Sequence, residues 1–179
     1  MAPGYVPSYR SKLLDAISDG QLEVVRLAIA EGAQLNESTT AVNNPLCRAT
    51  RQGADAIINV LLDNGACVRL HKSHCVVIAV HFGRTDLCQR FHDLGARLPD
   101  NSDAMRAALY ANQMGAVRWL MAHDAQSRGL DDGSLGRLLH LATAEDAELV
   151  QQVFRGAGDQ SDVDAIILRA TEIGNLDLA

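Results

Sequence analysis

Four side chains with a taste for zinc, Cys67, His71, His74 and Cys75, fall within nine residues, and His81, Cys88 and His92 follow closely. Thiolate and imidazole are the ligands tetrahedral zinc prefers, so a metal would be sought here first. The stretch lacks the paired C-x-x-C spacing of common zinc sites, and Cys88 falls on the apolar side of a helical pattern. The expectation is a chain with no metal and no cofactor, Cys67, His71, His74 and Cys75 being the candidate ligands should one be held.

Catalytic chemistry has little to work with. The chain carries no G-x-S-x-G elbow, no G-x-x-x-x-G-K-[ST] phosphate cradle and no H-E-x-x-H zinc helix. Cys47 sits among apolar helical positions, where a thiol serves packing more readily than nucleophilic attack. Asp131 and Asp132 lie in a loop, residues 127 to 134, with too few alternating oxygen donors for calcium.

The elements that must position these residues are short helices. The 179-residue chain is 47% hydrophobic and 21% charged, as ordinary globular proteins are, but only 4% aromatic. Its longest apolar run, Cys75 to Val80, is six residues, against roughly 20 for a bilayer span. The opening Met1-Ala2-Pro3-Gly4-Tyr5 has no apolar core of the kind a secretory signal needs. Four cysteines are too few for a disulfide-built scaffold. A cytoplasmic or nuclear chain with free thiols and no membrane contact is expected. A net charge of −6, with 14 Arg and two Lys set among 22 carboxylates, argues against general nucleic-acid binding. So does the shortage of aromatic rings to stack on bases.

Two glycines set a repeating ruler. Gly20 is followed twelve residues later by Gly32-Ala33, Gly53 by Gly65-Ala66, and Gly83 by Gly95-Ala96, at steps of 33 and 30 residues. Seven residues before each anchor stands Leu13, Leu46 or Val76, and four before it Ala16, Ala49 or Ala79. Asn112 takes the fourth anchor position with Met105 and Ala108 before it, and Asp124-Ala125 replaces the second Gly-Ala. A fifth unit contains Leu139 to Ala142, with its anchor expected at Glu145 or Asp146. Gly174 anchors a partial sixth, in which Ile167 and Ala170 hold the inner positions. Each unit reads as two helices, the first ending at an anchor that tolerates a left-handed turn and the second at Gly-Ala. Residues 1–10 form an N-terminal extension or cap. The units span approximately 11–43, 44–73, 74–102, 103–134 and 135–163, with 164–179 partial.

Asn44-Pro45-Leu46-Cys47-Arg48-Ala49 resembles the T-P-L-H-x-A start of an ankyrin repeat, and Gly20 to Leu27 with Glu31 to Asn36 resembles its second helix and exit. The likeness runs over about residues 11 to 179 and rests on recurrence near the family's period. It implies an all-α solenoid of about five repeats plus a partial sixth. Shortened steps after the second unit imply that the family's β-hairpins shrink there to loops, leaving Asn36 to Asn44 as the best hairpin or loop candidate. His140 looks like the His of T-P-L-H, with the inter-repeat hydrogen bond that implies.

The resemblance further implies that residues just before each anchor face the concave side and touch partners. These are Ser18 and Asp19, Arg51 and Gln52, His81 and Phe82, Tyr110 and Ala111, then Glu172 and Ile173. Arg51, Gln52, His81, Phe82 and Tyr110 form the chemically mixed centre expected of a protein-binding hot spot. Burial of His81 and Phe82 between repeats is the competing expectation, and Trp119 is expected in the core. The function expected is non-enzymatic binding of a partner polypeptide. A pocket for a small molecule or an unusual enzyme in the third to fifth repeats, and a structural segment of a longer array, are the alternatives. An uncovered apolar face at the C-terminal end would favour homo-oligomers.

Overall fold

A computed structural model describes residues 9–98, 102–123, 125 and 127–157 of the 179. Among them the fold is all-α, as expected, and contains no strand. Ten helices follow one another: α1 (Tyr9–Ser18), α2 (Leu22–Ala30), α3 (Pro45–Gln52), α4 (Asp55–Asp63), α5 (Leu70–His81), α6 (Thr85–Asp93), α7 (Asp103–Tyr110), α8 (Met114–Ala122), α9 (Asp132–Leu141) and α10 (Ala147–Ala157). None of the described helices is long and apolar enough to cross a membrane.

Local chemistry explains why the helices start and stop where they do. Asn44 caps α3 by accepting the Cys47 amide at 2.9 Å, and Pro45 opens the helix where its missing N–H costs nothing. At the other end Gly53 turns left-handed, with φ at 66°. The Ala54 amide then reaches back to the Ala49 carbonyl at 3.1 Å, closing the last turn. The same reach-back joins Gln21 to Ala16, Arg84 to Ala79 and Gln113 to Ala108. Asn112 stands in for glycine with φ at 58°.

The apolar residues of the ruler lie inside. Leu13, Leu46, Val76 and Met105 are buried, and so are Ala16, Ala49, Ala79 and Ala108. Alanine there lets neighbouring helices approach closely while its carbonyl takes the closing bond. Each odd-numbered helix packs on the even-numbered one that follows it. The odd helices also form a continuous row, α1 on α3, α3 on α5, α5 on α7 and α7 on α9. Behind it α2 meets α4, α6 meets α8, and α8 meets α10. The core runs between the two rows from Leu13 to Phe154.

Hydrogen bonds tie successive pairs in register. Asn36 donates to the Gly65 carbonyl at 2.9 Å and accepts the Cys67 amide at 2.8 Å. The Arg69 guanidinium reaches the Gly95 carbonyl, and the indole N–H of Trp119 donates to Gln89 at 3.0 Å. Trp119 is only partly buried, its ring stacked on His123, so it edges the core instead of filling it. The segment Asn36 to Asn44 is a loop that ends in a short 3-10 turn, Ala41–Asn43.

The fifth pair departs from expectation. Helix α9 ends at Leu141, and Ala142 leaves it in an extended conformation. Glu145 and Asp146 therefore do not anchor a turn but belong to a 3-10 turn, Ala144–Asp146. The inner positions are taken by Leu135 and Leu138, three or four residues earlier than the ruler placed them. His140, read as the His of a helix start, stands instead exposed at the end of α9. With no glycine near position 142 to stop the helix, only the cap at Asp131 fixes its register. Helix α1 begins at Tyr9, inside the stretch expected as an extension. The extension up to position 8, the partial sixth unit with Gly174, Glu172 and Ile173, and the end expected to self-associate lie outside the described residues.

Candidate interaction surface

The last residues of each odd helix precede a turn that bends the chain back, so their side chains crowd the rim of that turn. Because the odd helices pack side by side, these rims form one edge. Arg84, just past Gly83, bonds Asp55, just past Gly53, at 2.9 Å, which holds two successive rims together. Arg51, Gln52, His81, Phe82 and Tyr110 all lie along this edge and all are exposed, Phe82 by 49% and Tyr110 by 47%. Exposure of a Phe and a Tyr to that degree leaves an apolar area that water meets unfavourably. His81 and Phe82 do not bury themselves between pairs; their rings meet edge to face at 5.1 Å.

Tyr110 is fixed from the next pair along. The Arg137 guanidinium covers its ring at 4.9 Å from the centroid, and its hydroxyl lies 3.4 Å from Asp131 Oδ1. Asp131 accepts the Ser134 amide at 2.7 Å as the cap of α9, and that bond holds its carboxyl below the usual range. Arg137 also donates to Asn112 Oδ1 at 3.2 Å. Nearer the start of α5, half-buried His74 is held below its ordinary pKa, first by burial and then by Arg51 and His71, with Asp103 pulling the other way.

The candidate metal ligands are not gathered. His71 pairs with the Ser38 hydroxyl at 2.9 Å, and the Cys75 thiol donates to the Val68 carbonyl at 3.4 Å. His71, Lys72 and Ser73 adopt three consecutive left-handed conformations. Among the described residues no three His, Cys, Asp or Glu side chains converge as ligands. Cys67 is partly exposed, whereas burial pushes the Cys47 thiol up to about 11 and that of Cys88 up to about 12. Cys75 is pushed up further still, by burial first and then by the neighbouring Cys47.

Arg48, Arg137 and His140 join this edge although the sequence reading left them out. Arg48 lies one turn before Arg51, as Arg137 lies one turn before His140, so the helical period of three to four was the available signal. A separate cluster lies on the even helices, where the His92 and His123 rings sit 4.9 Å apart beside Trp119. Nothing in the ruler points to it.

No protein-family model matches the chain. Over 87 residues the chain is 37% identical to the transient receptor potential cation channel subfamily A member 1 homolog of Caenorhabditis elegans. That alignment takes in 45% of this chain and 7% of the nematode protein, so the chain spans a small fraction of that relative's length.

Proposed function

We propose that this chain is a divergent array of ankyrin-like repeats acting as a non-enzymatic recognition module, and that a partner polypeptide docks on the edge formed by the ends of the odd helices. The observation that carries the reading is the alignment of Arg51, Gln52, His81, Phe82 and Tyr110 on one exposed edge of tightly packed helices. Rigid helices hold these side chains at low entropic cost, and aromatic and Arg anchors supply much of the energy of protein interfaces. The repeated anchor geometry and the T-P-L-H-like start of α3 support the ankyrin-like part. From the nematode relative only the likeness of a short segment is taken, since the channel named there is far longer than the aligned stretch.

The test is affinity capture from native extract with the intact chain and with a Phe82→Ala, Tyr110→Ala variant. A protein retained by the first and lost from the second, at unchanged melting temperature, is the expected result. Equal capture by both chains would reject this edge.

A further inference from the structure

The whole protein is acidic, yet its charge is unevenly distributed. Helix α3 carries Arg48 and Arg51 and no carboxylate, and α5 ends at His81 with no carboxylate either. Helix α4, behind α3, carries Asp55 and Asp63 and no base. Asp15 and Asp19 are exposed on the first pair, Asp55 is taken by Arg84 and Asp131 stands beside Tyr110, whereas the end of α3 carries Arg51 and no acid.

Pairing divides the described arginines, Arg69, Arg90 and Arg155 away from this edge also bonding neutral groups. Arg26, Arg84, Arg106 and Arg118 each meet a carboxylate. Arg48, Arg51 and Arg137 meet none among the described residues: Arg48 bonds the Ser18 hydroxyl at 2.9 Å, and Arg137 bonds Asn112 and covers Tyr110. A guanidinium presents a planar fork of donors that a carboxylate fits with two parallel bonds, so one left without such a partner at a surface is ready to take one. Arg48 and Arg51 lie on one side of the apolar pair Phe82 and Tyr110, and Arg137 lies on the other.

We propose that the segment seated on this edge is acidic: an extended polypeptide stretch whose Asp or Glu side chains meet Arg48, Arg51 and Arg137 while an apolar side chain between them packs on Phe82 and Tyr110. This rests on the docking edge proposed above and adds the chemistry of its partner. An acidic segment would be repelled by the net charge of the chain at a distance and attracted by this patch at close range, which restricts docking to one face. A basic segment would meet three guanidiniums on this edge, against Asp131 beside Tyr110 as a carboxylate to pair with.

Selection of a random dodecapeptide library on the full chain tests this, with the recovered peptides measured by fluorescence anisotropy. The variants are Arg51→Gln, Arg48→Gln with Arg137→Gln, and Phe82→Ala with Tyr110→Ala, each checked by thermal melt. The Arg51 side chain makes no hydrogen bond or ion pair within the described residues, so its variant is expected to keep the fold. The expected result is enrichment of Asp and Glu over the starting library and at least a tenfold loss of affinity in the arginine variants. Peptides without acidic enrichment that still need Phe82 and Tyr110 would overturn the acidic partner and leave the edge standing. Peptides indifferent to every variant, or no enrichment at all, would overturn both.

Discussion

The guanidinium of Arg137, from one helix pair, lies 4.9 Å over the ring of Tyr110, from the pair before it. A ring clamped this way presents its other face already ordered. Neighbouring units thus share the construction of a single surface residue.

A double-mutant cycle on Arg137→Ala and Tyr110→Ala, read by urea unfolding, measures this contact. A coupling of about 0.5 to 1 kcal/mol is expected, the range for an exposed cation–π pair. Coupling indistinguishable from zero would mean that the ring is not held.

Asp146 links α8 to the 3-10 turn before α10. Its carboxylate takes Arg118 at 2.7 and 2.9 Å and both the amide and hydroxyl of Thr143 at 3.0 Å, and it is buried. Chiefly through Arg118, its pKa falls from 3.8 to about 2. Because the folded value lies below the unfolded one, this stabilisation is complete above about pH 4 and is lost as pH drops toward about 2. Asp146→Asn is expected to cost about 1 to 2 kcal/mol at neutral pH, a figure already reduced because Arg118 is half-exposed. The gap between variant and parent closes as pH is lowered through that window; a constant gap would count against the ion pair.

Thiol labelling separates Cys67 from the others. Cys47, Cys75 and Cys88 are buried, with their thiols held protonated, while Cys67 is partly exposed. With an aromatic disulfide reagent at neutral pH, one thiol is expected to react promptly in the native chain and the rest only on unfolding. Four equal rates would show that the core opens freely.

The left-handed run before the regular part of α5 stores strain. Lys72 is exposed with φ at 56°, a conformation that costs a side-chain-bearing residue about 1 to 2 kcal/mol. Lys72→Gly relieves that cost while giving back part of it through a freer unfolded chain. A net gain of about 0.5 to 1 kcal/mol is expected by chemical denaturation. Destabilisation would show that Lys72 makes a contact that matters more than its backbone.

What the sequence alone determined was local. The glycine or asparagine anchors, the apolar residue seven places before each and the alanine four before each announce a helix closed by a left-handed turn. That geometry depends on hydrogen bonds spanning five residues, so it is legible wherever the pattern recurs. It failed at α9, where no left-handed residue ends the helix and Asp131, a cap at the far end, sets the register instead. It was silent on His71 to Ser73, because no glycine marks the left-handed path.

Tertiary structure alone decided what the units make together. The clamp of Arg137 on Tyr110, the cluster of Trp119 with His92 and His123, and the scattering of Cys67, His71, His74 and Cys75 all depend on side chains from different elements. Their relative placement comes from how helices stack, which one chain's periodicity does not encode. Likewise Arg51 reads as one arginine among 14 until packing shows it on an edge with no ion pair to a carboxylate among the described residues. Charge partnership is a property of three-dimensional neighbours, and only the fold reveals which charges have none.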